Sequence, residues 1–231
     1  MAMNVTALIP VKGFRNAKQR LSPLLGAAER EVLAEAMFRD VLREVLLARG
    51  LAGTFVVTGD DRAAAIAASY RAEVIREPAE GGETDAVNFA RAALQQAGRE
   101  AVLILPGDMP LVRSADIEQV LAQVPGAASP PFALLVPSHD RMGTNALLLA
   151  PPDIIKLRFG YDSFNFHMSQ VEARGLPLRY IENGRIALDI DEPKDLERLL
   201  SFNDDAAEST RVARAMLAQH EAEHTRRSGG L

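Results

Sequence analysis

The chain has 231 residues, 48% of them hydrophobic and 25% charged, with no cysteine and a formal net charge of −5. That size suits one α/β domain, taken as residues 1–202, followed by a polar helical C-terminal tail at 203–231. The composition excludes a disulfide framework, a thiolate metal site, a broad basic nucleic-acid surface and a membrane span; with no signal-peptide pattern, a cytoplasmic protein is expected.

Strand and helix signals alternate along the chain, as they do when helices cover a mostly parallel sheet. The apolar run Val5–Val11 predicts a buried first strand. It leads into Lys12-Gly-Phe-Arg-Asn-Ala-Lys-Gln-Arg-Leu21, where Gly13 lets the backbone turn. An amphipathic helix is predicted from Ala27 to Ala48, closed by Gly50. Thr54–Thr58 reads as a strand ending in Gly59-Asp60-Asp61, then come an Ala-rich helix to Tyr70 and a third strand, Glu73–Arg76. A loop from Glu77 to Glu83, with Gly81 and Gly82, precedes a helix over 84–97 and a buried central strand, Ala101–Leu105. The loop Pro106-Gly107-Asp108-Met109-Pro110 leads to a helix over 114–124 that Ser114 can cap. Phe132–Pro137 and Asn145–Ala150 predict strands around a turn at Asp140–Gly143. A helix from Tyr161 to Arg174, a strand near Leu178–Ile181, an extended segment Arg185–Asp191 and a helix Pro193–Leu200 complete the domain. The tail is helix-prone to Glu223 and expected to fray from Arg226 to Leu231. Val212, Met216 and Leu217 give it a thin apolar stripe for packing on the domain or on a second subunit.

Two features point to chemistry. The loop after the first strand gathers the cations Lys12, Arg15, Lys18 and Arg20. Ligands of open α/β sheets bind outside the carboxyl ends of the strands, where such a loop can hold a polyphosphate by charge-assisted hydrogen bonds; the alternative is a solvated surface loop. The second feature is a set of carboxylates. Asp108 follows a buried strand in a loop stiffened by prolines, and Asp189 and Asp191 would project from one face of an extended segment. Hard oxygen donors from separate loops suit Mg²⁺ that also holds substrate phosphates, since this ion keeps several waters and takes one or two protein carboxylates. Asp191 would serve equally to begin the helix that Pro193 opens, so Asp189 is the preferred partner of Asp108.

Five motifs, in this order, carry a family resemblance: Ile9-Pro-Val-Lys-Gly13 with Lys18-x-Arg20-Leu21; Pro106-Gly-Asp-Met-Pro-Leu111; Gly143-Thr-Asn-Ala-Leu147; Phe159-Gly-x-x-Ser163-Phe164-x-x-His167; and Asp189-Ile-Asp191-x-Pro193-x-Asp195-Leu196. Together, across about residues 4–202, they resemble the 2-phospho-L-lactate guanylyltransferase family of deazaflavin coenzyme F-420 biosynthesis. The resemblance implies a three-layer, Rossmann-like nucleotidyltransferase of the nucleotide-diphospho-sugar transferase type. It further implies a reaction in which GTP and a small phosphorylated three-carbon acid (2-phospho-L-lactate, phosphoenolpyruvate or 3-phospho-D-glycerate) give a guanylylated anhydride and pyrophosphate.

By the same resemblance, Lys12, Lys18 and Arg20 would hold the triphosphate and the leaving pyrophosphate. Asp108 and Asp189, with Asp191 a further candidate, would hold one or two Mg²⁺ ions. Thr144, Gly160 and Ser163 would line the substrate and nucleotide site through hydroxyl and backbone N–H donors, and Glu83, Thr84 and Asn88 would lie at the nucleobase and its sugar. Plain structural roles stay open beside these: a hairpin turn at Gly143-Thr144 and helix caps at Thr84 and Ser163. Family members often carry proline after Phe-Gly, whereas Tyr161-Asp162 stands here. His167 could face the acceptor's carboxylate, support its loop or pack a helix, and His139 reads as a turn residue. His220 and His224, four apart, have metal-binding spacing without a third ligand. A downstream deazaflavin transferase and a second copy of the chain are the partners such an enzyme could use. The rivals are a molybdopterin guanylyltransferase, which usually opens with a glycine-rich loop, a cytidylyltransferase, and a non-catalytic nucleotide-sensing module.

Overall fold

The computed structural model describes residues 3–78, 81–124, 131–202 and 204–228, the side chains of 223, 224 and 226–228 excepted. Six strands form one sheet: β1 (Val5–Pro10), β2 (Leu51–Thr58), β3 (Glu73–Arg76), β4 (Ala101–Ile104), β5 (Phe132–Pro137) and β6 (Thr144–Ala150), in the order β3-β2-β1-β4-β6-β5. β1 pairs in parallel with both β2 and β4, and β2 with β3, while β6 runs antiparallel to β4 and β5. The sheet is mixed and mostly parallel, and the two antiparallel pairings follow from the tight β5–β6 hairpin.

Helices cover both faces. Around the first lie α1 (Ala27–Leu47), α2 (Asp61–Ser69), α4 (Ser114–Leu121), α6 (Pro193–Ser201) and α7 (Glu208–Ser228); on the second lie α3 (Glu83–Gln96) and α5 (Ser163–Ala173). Alternate residues of one strand therefore enter different cores. Ala7 and Ile9 of β1 pack with Met37, Phe38 and Val41, while Leu8 packs with Val87 and Ala90. A strand buried on both faces reads as an unbroken apolar run, which is why β1, β4 and β5 were legible as strands.

The tail lies on its own domain. Asp40 of α1, with no surface open to solvent, accepts hydrogen bonds from the Glu208 and Ser209 N–H groups at 2.9 and 2.8 Å and from Ser209 Oγ at 2.7 Å, satisfying orphan donors at the start of α7. Ala213 is buried against α1 with Met216 and Leu217 beside it, and His220 Nε2 meets Glu29 Oε1 at 2.7 Å. The His224 side chain and residues 229–231, the last of the expected frayed end, lie outside the described residues, as do 79–80 of the loop before α3.

Several local expectations are corrected. Ser114 does not cap α4: Arg113 is the N-cap residue, and the Ser114 N–H donates to Glu44 Oε2 at 2.9 Å. The segment near Leu178–Ile181 is no strand. It touches the sheet at one bridge, Leu135 to Tyr180, through Leu135 N–H to Arg179 O and Ile181 N–H to Leu135 O. The segment Arg185–Asp191 begins as a turn, because the Asn183 side chain accepts from the Arg185 and Ile186 N–H groups and folds the chain back on itself. His139 stands in a turn, as expected.

Candidate functional site

The carboxyl ends of β1, β2 and β4 open into a cleft of about 1640 Å³. The chain leaves β1 through Val11, whose N–H donates to Val57 O at 3.0 Å, and enters the basic loop. Gly13 leaves room there for Asp60: a Cβ would lie 2.7 Å from Asp60 Oδ2, so that carboxylate would have to shift. Asn16 and Lys18 adopt left-handed backbone conformations (φ 60° and 51°), and the short 3₁₀ turn Gln19–Leu21 follows. This path carries the Lys18 side chain into the cleft floor.

Lys18 Nζ donates to Asp108 Oδ2 at 2.7 Å and to Asp191 Oδ1 at 2.8 Å, joining three loops far apart in the chain. Burial alone would lower the Lys18 pKa, but the two carboxylates outweigh it and raise the value above the ordinary lysine range. Asp108 is presented by Pro106-Gly107, and the 189–191 segment is tied to it by Ile190 N–H to Asp108 O at 3.2 Å. The other oxygen of Asp108, Oδ1, is buried without a hydrogen-bond partner. Asp189 is pushed up to about 6 by burial and by the charges of Asp108 and Asp191, against the hydrogen bond that Asn145 Nδ2 donates to it at 3.0 Å. Burial would raise Asp191 as well, but Lys18 and then Arg20 hold it below the usual carboxylate range. Asp191 does not cap α6, since it is the Asp195 carboxylate that accepts from the Asp191 and Glu192 N–H groups.

Glu83 lines the same cleft at the start of α3. Surrounding protein and the Asp108 charge push its carboxyl up to about 7 against the pull of Lys12 and Lys18. Lys12 and Arg15 are exposed and make no ion pair among the described residues; Arg20, also exposed, faces Glu192 at 3.5 Å. The cleft therefore carries uncompensated positive charge at its rim and grouped carboxylates on its floor.

The opposite wall is neutral. The Thr144 N–H at the start of β6 donates to Ser163 Oγ at 3.0 Å, and Thr144 Oγ1 lies 2.9 Å from His167 Nδ1. The Arg158 N–H donates to His167 Nε2 at 3.1 Å, and the Phe159 N–H to Thr84 Oγ1 at 2.9 Å. Gly160 turns the loop at φ 98°, in the left-handed region that favours glycine. Neither side-chain cap is made: α3 starts from Gly82 and α5 from Asp162, so the hydroxyls of Thr84 and Ser163 serve the loop and β6 instead. Gly143-Thr144 does lie at the β5–β6 hairpin and lines the cleft as well.

Of the residues singled out in the sequence, Lys12, Lys18, Arg20, Glu83, Asp108, Thr144, Gly160, Ser163, Asp189 and Asp191 share this cleft. Thr84 stands behind its wall. Asn88 faces away, lining a separate depression of about 400 Å³ with Arg91 and Lys156. Among the cleft residues without an assigned role are Asn145, which holds Asp189, and Asp60, whose carboxylate lies against Gly13 and caps α2 by accepting from Ala63 N–H. A polar residue opening an apolar strand was the available signal for Asn145.

The sequence model of a family described as "Guanylyl transferase CofC like" matches residues 5–228. A phosphoenolpyruvate guanylyltransferase of Conexibacter woesei is 39% identical over 197 residues, covering 85% of this chain and 87% of that protein. A 2-phospho-L-lactate guanylyltransferase of Methanothermobacter thermautotrophicus is 33% identical over 200 residues, covering 86% and 85%. Among solved structures, a protein of Desulfovibrio desulfuricans provisionally described as a nucleotide-diphospho-sugar transferase superposes with a TM-score of 0.75 at 17% identity, over 94% of this chain and 98% of its own. At that identity the likeness is one of fold.

Proposed function

The chain belongs to the CofC-like guanylyl transferase family, and from that membership we propose that it transfers GMP from GTP to the phosphate of a small phosphorylated three-carbon acid in deazaflavin coenzyme biosynthesis. An acceptor phosphate oxygen attacks the α-phosphorus of GTP, a new P–O–P bond forms, and pyrophosphate leaves with the electron pair of the broken bond. The attacking oxygen is already anionic, so the site needs positioning and positive charge rather than a general base.

The observation that carries this reading is the meeting of Lys18, Asp108 and Asp191, with Asp189 beside them, at the strand ends of one cleft rimmed by cations. Lys12, Lys18 and Arg20 are assigned to the triphosphate and the departing pyrophosphate. Thr144, Gly160 and Ser163 are assigned to the acceptor acid, and Glu83 to the nucleotide side of the cleft. The donor set fits Mg²⁺: Asp108 Oδ1 is a buried oxygen without a partner, and Asp189 is a second hard oxygen donor in electrostatic contact with it. Among the described residues no three His, Cys, Asp or Glu side chains form a cluster that could hold a metal by themselves, so Asp108 and Asp189 are proposed as a pair whose remaining ligands come from phosphates and water. When bound, Mg²⁺ held by Asp108 and Asp189 would neutralise phosphate charge as it develops.

The test is pyrophosphate release with GTP, Mg²⁺ and each of phosphoenolpyruvate, 2-phospho-L-lactate and 3-phospho-D-glycerate. The downstream deazaflavin transferase and its acceptor are included as a trap for the product. Phosphoenolpyruvate is the first acid to offer, because the Conexibacter relative is named for it. Release with one acid and GTP but not CTP is expected; silence with all three overturns the reading.

A further inference from the structure

His167 has no surface open to solvent and stands in the second turn of α5, with the rings of Phe159 and Phe166 packed edge-on at centroid distances of 5.4 and 5.7 Å. Its two nitrogens are not interchangeable. The Arg158 main-chain nitrogen can only donate, so Nε2, 3.1 Å away, is an acceptor and carries no proton. The neutral ring then bears its proton on Nδ1 and donates to Thr144 Oγ1 at 2.9 Å. Burial, with Arg158 and Arg91 adding to it, pushes His167 down to about 4, so the ring is neutral near pH 7.

A hydroxyl that accepts from Nδ1–H keeps its own proton to give. Among the described residues nothing inside the protein accepts it, and Thr144 lines the cleft. We propose that His167 is a positioning residue that fixes the Thr144 hydroxyl as a hydrogen-bond donor into the cleft, toward an anionic oxygen of the phosphorylated acid. This rests on the reading above, in which the acid lies against the wall formed by Thr144, Gly160 and Ser163. With the opposite tautomer, the hydroxyl would have to donate to Nδ1 and would offer the ligand only lone pairs, which an anion does not bind. An apolar residue would fill the same volume, but it would leave the Arg158 N–H unpaired and the Thr144 hydroxyl free to rotate.

The test has two arms. Nitrogen NMR of histidine-labelled protein, with the His167 signals identified by their loss in His167→Gln, should show Nδ1 protonated and Nε2 bare; the opposite tautomer overturns the proposal whether or not an acceptor acid is known. In steady-state kinetics, Thr144→Val should raise the KM of the acid about tenfold or more, the size of a hydrogen bond to a charged group. His167→Gln, whose amide can still accept from Arg158 but no longer reaches Thr144 in the same way, should raise the acid KM in the same direction and leave the GTP KM within about twofold. Combining the two should cost no more than Thr144→Val alone. His167→Asn, with an amide nitrogen near the Nδ1 position, should recover much of the loss. An unchanged acid KM in His167→Gln, multiplying effects in the double variant, or an equal rise in the GTP KM overturns the proposal. Wild-type silence with every acid instead overturns the guanylyltransferase reading and leaves the tautomer measurement to judge His167.

Discussion

The floor and the wall of the cleft hold their ligand-facing groups by different means. On the floor, Lys18 is clamped between Asp108 and Asp191 by ionic contacts of 2.7 and 2.8 Å, and the side chains of these carboxylates remain 30% and 47% exposed. On the wall, Thr144, Ser163 and His167 are all buried and joined by neutral hydrogen bonds. The floor's groups are charged and can exchange one counter-charge for another as phosphates arrive. The wall has its donors set in advance, which lowers the ordering cost of binding a small acid. Damage to the floor should therefore appear in chemistry and GTP use, and damage to the wall in the affinity for the acid.

The largest effect should come from Asp108→Asn. It removes one charge from the floor and weakens the hard oxygen donor at the unpaired Oδ1, and turnover should fall at least about a hundredfold. Thermal unfolding should show a folded protein, since the loop is also held by Ile190 N–H to Asp108 O. Normal turnover at ordinary Mg²⁺ concentration would remove Asp108 from the reaction. Lys18→Ala should come next, lowering kcat/KM for GTP about ten- to a hundredfold with the acid KM nearly unchanged. Its cost in stability should be modest for a broken pair, because both carboxylates can take up water. Unchanged GTP kinetics would move the triphosphate away from the basic loop.

The wall predicts a pH effect of its own, separable from that of the floor's carboxylates. His167 titrates near 4 when folded, against an ordinary value of 6.5. The unfolded chain therefore takes up this proton first as pH falls. Stability from the neutral ring is complete above about pH 6.5 and is lost as pH drops toward 4, by up to about 3 kcal/mol. Denaturant unfolding of the wild type and of His167→Gln at pH 7 and at pH 4.5 measures it, because the carboxylate contribution is common to both and cancels. An equal loss in the two proteins would mean that the ring is not held neutral.

The division between floor and wall also separates what could be read in the sequence from what could not. The parts of the site carried by strand ends were legible, because an unbroken apolar run such as Ala101–Ile104 marks a strand buried on both faces and the polar loop after it must emerge at the sheet's edge. That places the basic loop and Asp108 on one side of the sheet, and the structure brings Asp189 and Asp191 to them. The tautomer of His167 was not legible, since it depends on a main-chain N–H nine residues earlier in a loop without a repeating pattern. The same limit explains the cap assignments. Thr84 and Ser163 stand near helix starts, where hydroxyls favour capping, yet the N–H groups of Phe159 and Thr144 claim those hydroxyls, while Ser114 stands one residue inside α4 with its N–H donated to Glu44. Segment 178–181 makes a single bridge instead of a strand, and segment 185–191 starts in a turn, for a related reason: local propensity does not register the Asn183 side chain that turns the chain, or the lone bridge at the sheet's edge.

The smallest effect is the sharpest check on the floor's electrostatics. Arg20 belongs to the same basic loop as Lys18 and was read from the same charge pattern, but its side chain is 71% exposed and its partner Glu192 lies 3.5 Å away. An exposed pair at that distance contributes little to folding, and salt screens it. Arg20→Ala should leave the melting temperature unchanged and raise the GTP KM only a few-fold at low ionic strength, with the difference shrinking as salt is added. Lys18→Ala should keep most of its defect under the same salt series, because its ammonium acts inside the cleft where screening is weak. If both variants lost their defects together on adding salt, Lys18 would be acting as a second rim charge that attracts GTP from solution. If neither defect responded, Arg20 would hold the triphosphate as closely as Lys18 does, and the division between rim and floor would move outward to include it.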